Sequence, residues 1–136
     1  MAKQYTLGKD ERLKSRKAIE ELFKGGKSFS LAPFRIYYRE QPLTDRKNVL
    51  KFGVGVSTKN FKKAVDRNRV KRLTREAYRL QKILLQETLK EKRQSLNIFF
   101  IYIGREIPVY EEVSTKVNSI LKKLLKLVNE NSTTNT

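Results

Sequence analysis

The sequence contains no cysteine and no histidine. Without cysteine the chain forms no disulfide and offers no thiolate to a metal ion. Without histidine it lacks the commonest general base and the commonest zinc ligand, so neither a Ser–His nor a Cys–His catalytic pair is possible. The sequence therefore predicts no catalytic residues in the protein itself.

Long apolar runs are missing as well. No stretch approaches the length that spans a membrane, and the N-terminus lacks the apolar core of a signal peptide. We expect a soluble, cytoplasmic protein that does not contact a membrane.

Acidic residues are scarce. The chain has 14 Asp and Glu residues against 31 Lys and Arg residues, a formal net charge of +17. The carboxylates nearest the basic segment are Asp45, Asp66 and Glu76. They are too few, and too closely surrounded by cations, to predict a two-metal nuclease centre. Asp66 and Glu76 are predicted instead to cap a helix and to pair with a cation. A polyanionic partner would relieve the self-repulsion of so basic a chain.

The length and composition predict one folded domain. A chain of 136 residues supports one modest core, which we place within residues 1–128. Residues 1–14 are expected to be a basic, flexible N-terminus, and residues 129–136 a disordered tail. The hydrophobic fraction of 38% argues against disorder of the whole chain.

Periodicity and capping signals predict an α+β fold in which helices cover a sheet. Ser15 is expected to cap a first helix, and Gly25 and Gly26 to end it. Extended segments are predicted at residues 34–39, 49–57 and 97–103. A final helix is predicted to begin near Tyr110 and to bury Val113, Val117, Ile120, Leu121, Leu124 and Val128. The order is α-β-β-α-β-α, or α-β-β-β-α-β-α if residues 46–57 contain two strands.

The most informative segment is a basic helix predicted to begin between Lys62 and Asp66 and to extend past Leu84 toward Lys90, before a charged connection at residues 90–95. Its apolar stripe is predicted to be Val70, Leu73, Ala77, Leu80 and Leu84. Nine cations lie in and before it: Lys59, Lys62, Lys63, Arg67, Arg69, Lys71, Arg72, Arg75 and Arg79. Most of the cations within the helix fall on the opposite side from the stripe, which favours a phosphate backbone as partner. A solvated face and a membrane-surface helix are the alternatives.

Aromatic residues offer a second candidate surface. Phe23, Phe34 and Tyr37 are candidates to line a cleft on which unpaired bases stack, with core packing as the alternative. Gly53 and Gly55 leave one face of their strand almost without side chains, so that another backbone or a ligand can approach closely. They do not form a dinucleotide-binding fingerprint.

At these residues the sequence resembles the protein component of bacterial ribonuclease P. The resemblance lies in Arg67-Asn68-Arg69-Val70-Lys71-Arg72-Leu73 followed by Arg75, and in the preceding FGVGVSTKNFKKAV. It continues in an N-terminal pattern formed by Arg12, Leu13, Lys14, Phe23, Lys24, Gly25 and Gly26. The match covers roughly residues 8–126.

The resemblance implies an α/β sandwich like the second domain of ribosomal protein S5, with a left-handed βαβ crossover. It implies a subunit of an endoribonuclease whose RNA is the catalyst. That enzyme uses Mg²⁺ to remove the 5′ leader of precursor tRNA hydrolytically. The expected partners are ribonuclease P RNA and precursor tRNA, with no obligate protein partner and no protein-bound cofactor.

The resemblance also assigns site residues. RNA contacts are expected from Arg67, Asn68, Arg69, Lys71, Arg72, Arg75 and Arg79, with Lys59 and Lys63 as further backbone contacts. The leader cleft is expected to contain Ile19, Phe23, Phe34, Tyr37, Arg12 and Lys14. Ile19 stands where relatives often have phenylalanine. A ribosomal or general RNA-binding protein is the alternative function, and a helix-inserting DNA-binding module is disfavoured by the strands on both sides of the basic helix.

Overall fold

The computed structural model describes residues 11–43 and 49–134, with side chains described as far as residue 130. Four helices and four strands follow one another along this part of the chain. They are α1 (Arg16–Gly25), β1 (Lys27–Leu31), β2 (Phe34–Pro42), β3 (Leu50–Val56), α2 (Ala64–Gln81), α3 (Ile83–Lys92), β4 (Gln94–Tyr102) and α4 (Tyr110–Thr134).

The strands form a single sheet in the order β1-β2-β4-β3. The β1–β2 and β2–β4 pairs are antiparallel, whereas β3 and β4 are parallel neighbours. Parallel neighbours need a crossover connection, and α2 with α3 provides it. The left hand of this crossover stays a prediction of the resemblance.

One face of the sheet carries the core. Alternate residues of the two middle strands, such as Ile36 on β2 and Ile98 and Phe100 on β4, are fully buried against the helices. The buried face predicted for α4 is confirmed at all six positions, Val113, Val117, Ile120, Leu121, Leu124 and Val128. Helices α2, α3 and α4 therefore form one layer and the sheet the other. No helix in the described part of the chain is long and apolar enough to cross a membrane.

The opposite face of the sheet, which we call the open face, is only partly covered. Helix α1 lies against it, and the segment before α1 runs beside β3, where the Leu13 N–H donates to the Phe52 carbonyl at 2.8 Å. The side chains of Leu13 and Leu22 are buried here, apart from the main core. This small second cluster holds α1 in place and leaves the rest of the open face exposed.

The predicted ends of α1 and the predicted beginning of α4 are confirmed. The Ser15 hydroxyl accepts a hydrogen bond from the Ala18 N–H, and Gly26 is the C-terminal cap of α1. Helix α4 begins at Tyr110. These ends were readable because each depends on a local signal within one or two turns.

The prediction missed one strand and misplaced the end of the basic helix. Residues 27–31 form strand β1, which the sequence did not reveal, because only Phe29 and Leu31 in this short edge strand are large and apolar. Residues 49–57 contain the one strand β3, and residues 44–48 lie outside the described part. The basic helix ends at Gln81, and α3 (Ile83–Lys92) follows it. The charged connection predicted at residues 90–95 is wrong, because residues 90–92 belong to α3 and residues 94–95 to β4, with Arg93 alone between them.

The apolar stripe predicted for the basic helix is only partly correct. Val70 and Ala77 are buried, but Leu80 and Leu84 are 45% and 62% exposed. Thr74 and Tyr78 are fully buried in their stead. The Thr74 hydroxyl donates to the Val70 carbonyl, which satisfies it inside the core.

The two chain ends also differ from expectation. The backbone of α4 continues to Thr134, and residues 129 and 130 are exposed, so the polar segment predicted to be disordered begins as part of a helix. At the N-terminus, residues 11–13 are docked beside β3. Residues 1–10 and 135–136 lie outside the described part.

Candidate nucleic-acid interface

Helix α2 presents a basic face opposite its buried one. At 3.6 residues per turn, five polar residues fall within an arc of about 100° on that face. They are Asn68, Lys71, Arg72, Arg75 and Arg79. Val70, Thr74, Ala77 and Tyr78 hold the other side of the helix in the core. The rigid helix therefore aligns guanidinium and ammonium groups along one line, which suits a phosphate backbone.

Arg67 is placed differently, because it has a structural role. Its Nη1 donates to the carbonyls of Phe61 and Lys62, both at 2.8 Å. The N-cap of α2 is Lys63, which makes no capping hydrogen bond through its side chain, and Asp66 lies in the first turn instead of capping it. Arg67 thus braces the turn that leads into α2, and the remaining N–H groups of its guanidinium are what an RNA contact would use.

Arg69 and Arg79 are the remaining arginines of α2 that were predicted to contact RNA. Arg69 is exposed but projects from a different side of α2, on the flank of Leu80. Arg79 pairs with Glu76 through Nη2 at 2.6 Å, as predicted for this acid, and the hydrogen bond lowers the pKa of the Glu76 carboxyl. The pair neutralises part of the basic face near the C-terminal end of α2.

The docked N-terminal segment brings the charge of Arg12 within electrostatic range of Arg75 on α2. The backbone of Arg12 forms an isolated parallel β-bridge with Phe52 on β3. The Phe52 ring stacks on Tyr78 of α2 at 3.9 Å between ring centroids. Arg75 lies one turn before Tyr78 on the same helix. Burial, and then the positive charge of Arg12, lowers the pKa of Arg75. Because the two positive charges repel each other, an anion bound near both of them would be stabilised.

An aromatic cluster of Phe23, Tyr37 and Phe99 lies on the open face. The Phe23 ring is 4.7 Å from the Tyr37 ring and 5.4 Å from the Phe99 ring, and it is 41% exposed. The prediction did not include Phe99. The signal was present, because alternation along a central strand puts residues 97, 99 and 101 on the face opposite 98, 100 and 102.

The assignment of Phe34 to the cleft was wrong. Phe34 is fully buried on the helix-covered face, where its ring packs 5.7 Å from Phe100 and 5.3 Å from Tyr102. The physical reason is strand periodicity: Phe34 and Tyr37 are three residues apart in β2 and so point to opposite faces. Phe34 belongs to the core, which was the alternative.

Arg35 and the strand glycines shape the surroundings of the cluster. The guanidinium carbon of Arg35 lies 5.6 Å from the centre of the Tyr37 ring, a cation–π contact that the sequence did not reveal. The Phe99 ring lies over both glycines of β3, since a Cβ atom at Gly53 would come within 2.6 Å of it and one at Gly55 within 3.1 Å. The close approach was predicted for another backbone or a ligand. The Phe99 side chain fills most of this space, and the Leu13 carbonyl oxygen would lie 3.1 Å from a Cβ at Gly53.

The other predicted residues lie around these two surfaces. Ile19 is half-buried in α1, four residues before Phe23 and on the same flank. Lys14, Lys59 and Lys63 are exposed. No three Asp or Glu side chains among the described residues lie close enough together to hold a metal ion.

Comparisons with known proteins identify the family to which the chain is similar. The family described as Ribonuclease P matches residues 7–125. The ribonuclease P protein component of Porphyromonas gingivalis is 38% identical over 120 residues, which cover 88% of this chain and 87% of that relative. The protein component of Borrelia turicatae is 31% identical over 115 residues, covering 84% and 91%.

Solved structures show the same fold. The RNase P protein from Thermotoga maritima superimposes with a TM-score of 0.63 at 26% identity, covering 83% of this chain and 96% of that one. The RNase P protein of Staphylococcus aureus has a TM-score of 0.60 at 21% identity, covering 84% and 94%, and supports the fold alone. The family match over most of the chain, together with these relatives, shows that the chain belongs to the ribonuclease P protein family.

Proposed function

We propose that this chain, as the protein subunit of ribonuclease P, uses two surfaces for two RNAs. The basic face of α2 binds the ribonuclease P RNA. The aromatic cluster on the open face binds the unpaired 5′ leader of precursor tRNA. The observation that carries the proposal is the cluster of Phe23, Tyr37 and Phe99 on the open face, where the Phe23 ring is 41% exposed, in a molecule whose helix α2 carries a row of cations.

The chemistry suits this division of work. A line of cations on a helix neutralises phosphates without reading bases, which serves a structured RNA partner. Exposed aromatic rings bind unpaired bases of any sequence by stacking. A leader differs in sequence from one precursor tRNA to the next, so a sequence-tolerant surface is what this substrate requires.

Cleavage itself is assigned to the RNA subunit with Mg²⁺, in the cytoplasm where tRNA is processed. The sequence has neither His nor Cys, and its described carboxylates do not converge on a common point. The protein would contribute by holding the leader and by screening the repulsion between two RNAs. Mg²⁺ would be held by RNA phosphates.

A reconstitution tests this function. The protein is mixed with bacterial ribonuclease P RNA and 5′-labelled precursor tRNA at low, near-physiological Mg²⁺. We expect stimulated cleavage at the mature 5′ end and no cleavage by the protein alone. Tight RNA binding without stimulation would favour a ribosomal or general RNA-binding protein instead.

Tyr37→Ala tests the leader surface within the reconstituted holoenzyme. Stacking contributes about 1–3 kcal/mol per base, so we expect affinity for precursor tRNA to fall about fivefold or more. Affinity for mature tRNA, which has no leader, should stay unchanged. Tyr37→Phe keeps the ring and serves as the matched control. Equal losses for precursor and mature tRNA would contradict leader binding by the open face.

A further inference from the structure

A cavity of about 380 Å³ opens where the loop after β4 leads into α4. Its lining is mostly apolar and includes no described residue of the basic face of α2 or of the aromatic cluster. Phe34 and Val113 are buried and lie at its bottom, while Pro33 and Pro108 beside them are partly exposed. The volume lies in the range of about 300–1,000 Å³ that is usual for ligand sites, so the cavity is large enough to receive an apolar group.

Hydrogen bonds hold the loop that carries Pro108 in place. The Tyr102 hydroxyl donates to the Glu106 carbonyl at 2.8 Å. The side-chain amide of Asn60, from the turn before α2, donates to the Ile103 carbonyl at 3.1 Å. The loop is thus tied to the sheet and to a second turn, and this preorganisation of the cavity lowers the cost of binding a ligand.

Two carboxylates lie at the rim of the cavity. Glu111 and Glu112 are exposed in the first turn of α4, and Lys116 is the one cation in the described lining. Among the described residues neither carboxylate has an ion-pair partner. Burial, and then the negative charges of Glu112 and Glu106, raises the pKa of Tyr102. In a chain with a net charge of +17, this end of the molecule therefore carries a local excess of negative charge.

The combination of an apolar cavity and an acidic rim favours one kind of ligand. Negative charge repels phosphate, so the rim is unsuited to RNA. Acids in a first turn also stabilise their helix, but that role needs no cavity beside them. Apolar surface continues from Pro108 to Val109, which is 60% exposed, so an extended ligand can cover more than the cavity. A peptide segment with an apolar side chain next to a cation matches each of these features.

We propose that the cavity is the docking site for a partner protein, which inserts an apolar side chain between Pro33 and Pro108 and places a lysine or arginine against Glu111 and Glu112. An anchor side chain in a preformed cavity supplies most of the affinity of a small interface. The charges at the rim select a cationic partner and reject an anionic one. The inference goes beyond the proposed function, because it uses a surface that neither RNA is proposed to contact.

The first test titrates the isotope-labelled, full-length chain with a capped peptide of alternating lysine and leucine. We expect saturable shifts of the backbone amide signals around Val113. Peptides with glutamate in place of lysine, or serine in place of leucine, should bind more weakly. Glu111→Gln with Glu112→Gln should weaken binding of the first peptide about threefold to tenfold, through the loss of two exposed ion pairs. Glu87→Gln with Glu91→Gln, exposed on α3, removes the same charge and is the matched control.

A second pair of variants tests the apolar contact. Thr115→Phe narrows the cavity without changing its charge and should weaken peptide binding about fivefold or more. Ser119→Phe, one turn further along α4, is the control. Both hydroxyls donate to the carbonyl four residues earlier, but Ser119 is outside the described lining. All four variants should support cleavage of precursor tRNA at the wild-type rate in the reconstituted holoenzyme.

Four results would overturn the proposal. The first is an absence of shifts around Val113 with about 1 mM peptide, and the second is equal binding by the charge-reversed peptide or equal losses in the control variants. Shifts of the same amides by an unpaired RNA oligonucleotide would assign the cavity to RNA instead. Shifts that grow with protein concentration in the absence of peptide would assign it to a second copy of this chain.

Discussion

Tyr78 positions α2 against the sheet, but its buried hydroxyl lowers the stability of the fold. Its ring stacks on Phe52 at 3.9 Å and an angle of 7°, which fixes α2 against β3. Its hydroxyl is buried and has no hydrogen-bond partner among the described residues. A buried polar group without a partner loses its hydration without compensation. Burial, and then the negative charge of Glu11, raises the pKa of Tyr78 well above its ordinary value.

We expect Tyr78→Phe to raise the free energy of unfolding by about 1 kcal/mol, because the ring stays and the unpaired hydroxyl is removed. The variant should also change the alkaline behaviour. Because the pKa of Tyr78 is higher in the folded state than in the unfolded state, it contributes to the free energy of unfolding. This contribution is fully present below the ordinary tyrosine pKa of 10.0 and is lost as the pH rises from there toward the folded-state pKa.

Denaturant unfolding at pH 7 and at alkaline pH measures both effects. The loss of stability with rising pH should be smaller in the variant, though still present, since burial also raises the pKa values of Tyr38 and Tyr102. A destabilised variant at pH 7 would mean that the hydroxyl has a partner.

At the scale of elements, the junction between α2 and α3 secures the N-terminal segment. Lys82 at this junction is only 1% exposed, and its amino group pairs with the Glu11 carboxylate. The same carboxylate oxygen accepts a hydrogen bond from the Gln86 side chain at 2.9 Å. A buried cation needs such a partner. The pair therefore holds the segment that places Arg12 next to Arg75.

Lys82→Met should release this segment while keeping the apolar part of the side chain in place. We expect the Leu13 amide, which donates to the Phe52 carbonyl, to exchange its hydrogen about tenfold to a hundredfold faster. Amides in the middle of α4 should exchange as in the wild type. Lys90→Met, on the exposed side of α3, is the control. Unchanged exchange at Leu13 would show that the backbone pairing with β3 suffices.

Elements differed in how well the sequence predicted them, and the reason is the range of the contacts that define them. The ends of α1 depend on Ser15 and Gly26, and the buried face of α4 on strict periodicity, so all were predictable. The end of α2 at Gln81 carries no such local signal, and the buried pair at the next residue joins Lys82 to Glu11, which are far apart in sequence. Likewise β1 forms because β2 pairs with it and not through its own composition.

The residues of the candidate site were also predictable only where their positions depend on nearby sequence. The cations of α2 could be placed from the sequence because they share one helix. Phe99 could have been found by continuing the alternation along β4. The proximity of Arg12 and Arg75 could not, because only the docked N-terminal segment creates it.

At the scale of the whole molecule, cations are spread over more than one side. Helix α4 carries exposed lysines at 116, 122, 123 and 126, away from the basic face of α2. Net charge alone therefore does not locate the RNA. A cation that contacts phosphate releases counterions on binding, whereas a distant cation acts only through a screened field.

Salt dependence separates the two groups of cations. Arg72→Ala with Arg75→Ala should reduce the slope of the logarithm of affinity for ribonuclease P RNA against the logarithm of salt concentration by about 1 for each lost contact. Lys122→Ala with Lys126→Ala removes the same charge and should leave the slope nearly unchanged. The affinities are measured over a range of monovalent salt at constant Mg²⁺. Equal changes for the two pairs would show that α4 contacts the RNA as well.

The packing of Phe99 over Gly53 and Gly55 has a consequence for how this surface can change over time. The ring and the missing side chains occupy one shared volume, because a Cβ at either glycine would press on the ring. A larger residue on β3 is compatible with the fold only if a smaller one replaces Phe99. Positions 53 and 55 on β3 and position 99 on β4 are therefore expected to covary across the family. Where β3 has a larger side chain, β4 should have a smaller one.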